Sequence, residues 1–221
     1  MDLQERWSAV DAYIESKIVG EDSALRAAAE ASVKAGLPTI AVTPAQGKLL
    51  NILAKSIGAT RMLEIGTLGG YSTIWLARAL PQAGKLITLE VNPKHADVAR
   101  QNIARAGLES KVDMRIAAAL DSLPVLAQER HVFDFVFIDA DKQNISAYFD
   151  WSLRVTRSGS LILIDNVVRE GEIIDAESRD VNVQGVRQMY DRLSGETRVT
   201  ATAVQTVGSK KYDGFVLAVV N

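Results

Sequence analysis

Cysteine is absent from this sequence, and histidine occurs only twice, at His95 and His131. The first absence excludes disulfides, thiol nucleophiles and zinc–thiolate sites. The second leaves a Ser-His-Asp triad only two choices of base. Long hydrophobic runs are missing too. No stretch approaches ~18 uninterrupted apolar residues, so no membrane-spanning helix is expected. The opening MDLQERWSAVDAYIESKIVG carries charges throughout and lacks an apolar block, so no secretory signal is expected and the cytoplasm is the default location. Nor is there a surplus of either charge: 25 Lys and Arg face 27 Asp and Glu, for a net charge of −2. That disfavours a broad nucleic-acid surface, although a local basic patch remains compatible with it.

What is present suits a globular chain. Apolar residues are 48% and charged residues 24% of 221 positions. That is enough for one domain with its own core. Trp7, Val10, Ile14 and Ile18 recur at helical spacing, which predicts a helix over 3–18. An alanine-rich helix over 22–35 stops at Gly36-Leu37-Pro38. Thr43 is placed to cap a third helix with Pro44 at its first position, and Gly58 ends it. Residues 1–58 therefore read as a helical N-terminal appendage to a core of 59–221, within a single domain.

From residue 61 short apolar runs alternate with helical patterns. Strands are expected at 61–65, 85–90, 112–116, 133–139 and 160–165, and helices at 71–80, 93–106, 119–128, 144–154 and 181–194. Strands that alternate with helices build βαβ units and a parallel sheet, the α/β class. The runs 199–207 and 214–220 break the rhythm. About six residues separate them, too few for a parallel crossover, so they are expected to pair as an antiparallel hairpin.

The carboxylates are placed informatively. Glu64, Glu90, Asp139 and Asp165 each sit at or near the end of a predicted parallel strand. In open α/β sheets those ends form the ligand-binding edge. Any one of these acids can be an ordinary helix cap. Four on one rim would repel each other unless a cation or several ligand hydroxyls faced them.

The turn after the first strand is Gly66-Thr67-Leu68-Gly69-Gly70-Tyr71-Ser72. A dinucleotide fingerprint would place glycine where Leu68 stands, to make room for pyrophosphate. The turn therefore fits a smaller group, such as an amino-acid carboxylate. Glu90 follows Gly66 by 24 residues. That is close to the spacing of an acid that grips ribose hydroxyls. A nucleoside joined to an amino acid describes S-adenosylmethionine. The bland reading makes Tyr71 a packed aromatic and Ser72 a first-turn residue.

Asp139, Asp165 and Asn166 offer three oxygen ligands at neighbouring strand ends. With no cysteine or histidine beside them, a hard cation such as Mg²⁺ (or Mn²⁺ or Ca²⁺) fits better than zinc. Read alone, Asp165-Asn166 is equally a polar turn. Lys142 follows Asp139 by three residues, either as a solvated lysine or as a general base beside a metal-bound hydroxyl.

Taken together, the segments LEIGTLGGYS, FIDADK, the pair DN and the closing YDGFVLAVV resemble the cation-dependent class I O-methyltransferases, the catechol and caffeoyl-CoA group. Small bacterial members are the most similar in layout. The resemblance runs from about Val42 to the C-terminus. It implies a Rossmann-like, seven-stranded, mostly parallel sheet with helices on both faces. It implies that Val42, Glu64, Gly66, Thr67, Tyr71, Ser72, Glu90, Ala118 and Asp139 contact S-adenosylmethionine. Asp139, Asp165 and Asn166 are implied metal ligands, and Lys142 with Asp139 the catalytic pair. The implied substrate is a small phenol with vicinal hydroxyls, and the implied assembly a homodimer. The loop VVREGEIIDAESRD, 167–180, is charged and lacks an aromatic gate, so the substrate is less defined than the reaction. Two alternatives stay open: a hydroxylated tRNA base as acceptor, with Arg169, Lys210 and Lys211 as a patch, and a nicotinamide-dependent oxidoreductase.

Overall fold

A computed structural model describes all residues, 1–221. Three helices come first: α1 (Leu3–Ile14), α2 (Ser23–Lys34) and α3 (Pro44–Ser56). Then strands and helices alternate: β1 (Arg61–Ile65), α4 (Tyr71–Ala77), β2 (Lys85–Glu90), α5 (Pro93–Arg105), β3 (Val112–Ile116), α6 (Ala119–Gln128), β4 (Phe133–Ile138), α7 (Ile145–Arg154) and β5 (Thr156–Asp165). Helix α8 (Val181–Ser194) and the hairpin β6 (Val199–Gly208) and β7 (Lys211–Val220) complete the chain. The cap at Thr43 forms as expected, its hydroxyl accepting the Gln46 N–H.

The seven strands run in the order β3-β2-β1-β4-β5-β7-β6. Neighbours from β3 to β5 pair in parallel, and β7 pairs antiparallel with both β5 and β6. The order reverses between β1 and β4, and crevices in α/β sheets open at the carboxyl ends beside such a switch. The sheet has apolar layers on both faces because successive side chains alternate. Met62, Phe135, Phe137 and Leu163 pack towards Leu25, Leu50 and Ile74 of α2, α3 and α4. Leu63, Val136, Ile138 and Ile164 pack towards Leu126, Phe149 and Met189 of α6, α7 and α8. Every residue of β4 is buried, as a central strand covered on both sides requires.

Three differences from the sequence reading concern boundaries. The first helix passes into a π-helical turn at Glu15–Val19. The hairpin is tighter than expected: Gly208 pairs with Lys211, so only two residues turn the chain where about six had been counted. Charged Lys211 and Asp213 hid the strand in the sequence: this end of β7 pairs with β6 alone, beyond the reach of β5. Strand β5 starts at Thr156, before its apolar run, with a register shift between Phe133 and Phe135 on β4.

Candidate active site

The switch point brings β1 and β4 together through backbone. The Asp139 N–H donates to the Ile65 carbonyl at 2.9 Å. Gly66 follows at φ +99°, and a Cβ there would lie 2.0 Å from the Asp139 carbonyl oxygen. Only glycine fits both the backbone angle and the space.

Glu90 closes the glycine turn from the β2 side. Its Oε2 accepts the Leu68 N–H at 2.8 Å and the Thr67 N–H at 3.3 Å. Its Oε1 accepts the Asn92 N–H at 2.9 Å and faces His95 Nδ1 at 3.5 Å. These contacts hold Leu68 at φ +51°, where side chains rarely sit. Thr67 is buried, its hydroxyl 2.5 Å from that of Thr88.

Glu64 has no exposed surface. It accepts hydroxyl hydrogen bonds from Ser72 at 2.6 Å, Thr73 at 2.5 Å and Thr88 at 2.7 Å. The carboxylate ties β1 to α4 and β2 and frames the turn from below. Burial pushes its carboxyl up to about 7, against the three hydroxyls, with Asp139 adding repulsion. An acid that holds its proton more tightly folded than unfolded stabilises the fold at low pH. That contribution is lost as pH rises from about 4.5 to about 7. At 1.36 kcal/mol per unit the loss is about 3 kcal/mol. Glu64→Gln is expected to remove that component, so that stability at pH 8 falls less below its pH 5 value than in the parent protein. Denaturant melts at the two pH values measure this, and parallel losses in both proteins would refute it.

Tyr71 is also buried, and its hydroxyl donates to Glu21 Oε1 at 2.6 Å. Burial and that carboxylate push the phenol well above its ordinary value. Val42 lies in the core layer beside α3, and Ala118 is exposed at the start of α6.

The second half of the site lies at the ends of β4 and β5. Lys142, 6% exposed, places Nζ 3.3 Å from Asp139 Oδ1. Its backbone is held from two sides. Asp141 accepts the Tyr148 hydroxyl at 2.5 Å and the Asn144 amide at 2.6 Å. Gly185 of α8 packs so tightly on the Lys142 carbonyl that a Cβ would come within 2.1 Å of it. Asp165 is buried and accepts the Asn166 N–H at 2.9 Å. Burial and the charge of Asp139 raise its carboxyl above the ordinary range, opposed by Lys142 and by a hydrogen bond from Gln46. Asn166 stands at φ +56°. No group of three or more His, Cys, Asp or Glu side chains is arranged to hold a metal ion by itself. The oxygen set here is two carboxylates and one amide, a donor chemistry that suits a hard cation keeping water positions.

The chain matches the family model described as O-methyltransferase over residues 15–219. It belongs to the O-methyltransferase family. A catechol O-methyltransferase of Niastella koreensis is 51% identical over 215 residues, covering 97% of each chain. A catechol O-methyltransferase of Mycobacterium tuberculosis is 50% identical, covering 100% of this chain and 99% of its own. The crystal structure of a Bacillus cereus O-methyltransferase with S-adenosylhomocysteine superposes at TM-score 0.97 with 53% identity, covering 99% of this chain and 100% of its own. Family membership removes the nicotinamide-dependent oxidoreductase. It also agrees with the fold read from the sequence.

In this O-methyltransferase the glycine turn, Glu90, Asp139, Lys142, Asp165 and Asn166 all gather at the strand ends around β1 and β4. Glu64 is hydrogen-bonded to Ser72, Thr73 and Thr88, which braces the base of the turn. The sequence reading missed Gln46, Thr73, Thr88, Tyr148 and Gly185. Thr73 carried a faint signal as a polar residue inside a buried helix. Gln46 carried none, because nothing local shows that α3 reaches the end of β5. The basic patch disperses: Lys211 pairs with Glu170 at 3.1 Å, and Lys210 donates to the Thr39 carbonyl at 2.6 Å. No helix is long and apolar enough to cross a membrane.

Proposed function

We propose that the enzyme transfers the methyl group of S-adenosylmethionine to one hydroxyl of a catechol-like phenol, in the presence of a divalent cation such as Mg²⁺. The observation that carries this reading is Lys142 beside Asp139, next to buried Asp165 and Asn166, across the switch point from the glycine turn. The donor is supported by relatives crystallised with it or with its demethylated product: TomG of Streptomyces achromogenes, 48% identical, with S-adenosylmethionine, and the Bacillus cereus enzyme with S-adenosylhomocysteine.

Glu90 sits where two ribose hydroxyls would meet a carboxylate. Gly66, Thr67 and Tyr71 line the turn that receives the amino-acid end, and Ala118 flanks the base from the start of α6. Asp139, Asp165 and Asn166 would hold the cation, whose chemistry when bound is to orient the acceptor and favour its anionic oxygen. Lys142 Nζ takes the proton from the acceptor hydroxyl. The oxygen–methyl bond forms as the sulfur–methyl bond breaks, leaving S-adenosylhomocysteine. Positioning the two reactants supplies much of the acceleration.

Methyl transfer to catechol is expected to vanish in EDTA and return with added Mg²⁺. Full turnover in chelator would reject the cation. Transfer to bulk tRNA but not to catechol would reject the phenol.

A homodimer is part of the same proposal. Helix α1 buries none of its residues and leaves Leu3, Val10 and Tyr13 exposed. Strand β6 is an uncharged edge of ten residues, a surface that invites cover. Sedimentation at twice the monomer mass is the expected result. Cell fractionation would test the cytoplasmic location proposed for it.

A further inference from the structure

Asn102 of α5 is fully buried, in a layer it shares with Ala96, Ala99 and Ile103. Its Oδ1 accepts Arg105 Nη1 at 2.7 Å. Arginine only donates, so the amide oxygen faces Arg105 and the amide nitrogen faces carbonyls. Nδ2 donates to the Gly69 carbonyl at 2.8 Å and to the Ala28 carbonyl at 3.3 Å. An apolar side chain would enter this layer at lower cost, so the amide is explained by the carbonyls it meets.

The two carbonyls differ in need. Ala28 lies inside α2 and already accepts the Ser32 hydroxyl at 2.8 Å. Gly69 is buried in the turn after β1, and no backbone N–H reaches its oxygen. That turn is an unfavourable shape for the chain: Gly66, Leu68 and Gly70 stand at φ +99°, +51° and +80°. Glu90 holds it from β2 through the Leu68 N–H at 2.8 Å. Asn102 holds the next residue from α5, through its carbonyl. The peptide that joins Gly69 to Gly70 is thus pinned at both ends, since the Gly70 N–H donates to the Thr67 carbonyl at 2.9 Å. Helix α2 backs the same turn: a Cβ on Gly69 would lie 2.1 Å from Ser32 Oγ.

We infer that Asn102 is a positioning residue for the methyl donor: by fixing the Gly69 carbonyl, it keeps the glycine turn in the shape that receives S-adenosylmethionine. The inference rests on the reading above that puts the donor at this turn. Asn102 touches no reacting atom, so its effect passes through the turn. Without the amide, the Gly69 carbonyl is a buried acceptor with no partner. Glycine on both sides of that peptide leaves it free to flip once one end is released. Donor affinity then falls. The other half of the site, at the ends of β4 and β5, keeps its own supports from Gly185 and Tyr148.

The test measures S-adenosylhomocysteine affinity by calorimetric titration, and KM for S-adenosylmethionine and for catechol, in the parent enzyme, Asn102→Ala, Asn102→Ser and Glu90→Ala. Asn102→Ala is expected to raise the Kd for S-adenosylhomocysteine and the KM for S-adenosylmethionine about 5- to 30-fold, the scale of a buried acceptor left unpaired. The KM for catechol, and kcat at saturating donor, should change far less. Asn102→Ser keeps one hydroxyl donor and is expected to recover part of the loss. A residue that only supports the core would lower the folded fraction, cutting kcat and binding stoichiometry while both donor constants stay at parent values. That result overturns the inference, as does an equal rise in KM for donor and catechol. Should Asn102→Ala fail to fold in a thermal melt, Asn102→Ser carries the comparison, with raised donor constants still required. The titration needs no turnover, so it decides whatever the acceptor is. Glu90→Ala keeps two failures apart. Weak binding there, with parent affinity in the Asn102 variants, overturns this inference alone. Parent affinity in Glu90→Ala removes the donor from this turn, and the inference with it.

Discussion

Lys142→Ala should lower kcat by about 10²- to 10⁴-fold, the range a positioned general base contributes. The side chain is nearly enclosed and its amine stands 3.3 Å from Asp139. Removing it deletes the proton acceptor but leaves the glycine turn and Glu90 intact. Affinity for S-adenosylhomocysteine should therefore persist in a calorimetric titration. Lys142→Arg separates charge from basicity, since a guanidinium keeps a positive charge near Asp139 and cannot deprotonate. It should be as slow as the alanine variant. If Lys142→Arg turned over at the parent rate, the lysine would be serving as a counter-charge and not as a base.

Gly66→Ala is the second large effect, and it acts on the fold and the donor site at once. The new methyl would sit 2.0 Å from the Asp139 carbonyl oxygen, on a residue at φ +99°. The left-handed conformation alone costs about 1–2 kcal/mol for a side chain. Overpacking against backbone adds about 1–3 kcal/mol. A loss of about 2–5 kcal/mol is expected in chemical denaturation, together with weaker binding of S-adenosylhomocysteine. Because the clash is with the backbone of Asp139, relaxing it means spreading β1 from β4, which moves Asp139 and Lys142 as well. A variant with parental stability and turnover would show that the turn can rearrange independently.

The parts of this enzyme that were legible in its sequence are those with a local cause. Phe135 to Ile138 is a continuous apolar run because both its faces are covered, and Pro44 follows a capping threonine because helices start that way. The acids at strand ends were legible because alternation fixes where a strand stops. What could not be read depends on which elements meet. Gln46 reaches Asp165 from a helix about 120 residues away, a separation no local pattern encodes. Gly185 is an unremarkable residue within a helix until that helix is seen against the Lys142 carbonyl. The hydrogen-bonded neighbours of Glu64 were equally hidden. Three hydroxyls on one carboxylate become visible only when β1, β2 and α4 are assembled.

The two ends of the chain are stitched together near the hairpin turn. Gln4 donates to the Gly208 carbonyl at 3.0 Å, Asp11 accepts the Ser209 N–H at 2.7 Å, and Lys210 reaches Thr39. Helix α1 thus waits for partners that lie about 200 residues further along the chain. It is expected to dock late in folding, and to be the first element to detach from the folded protein. Amide exchange in α1 should accordingly run far ahead of exchange in β1 and β4.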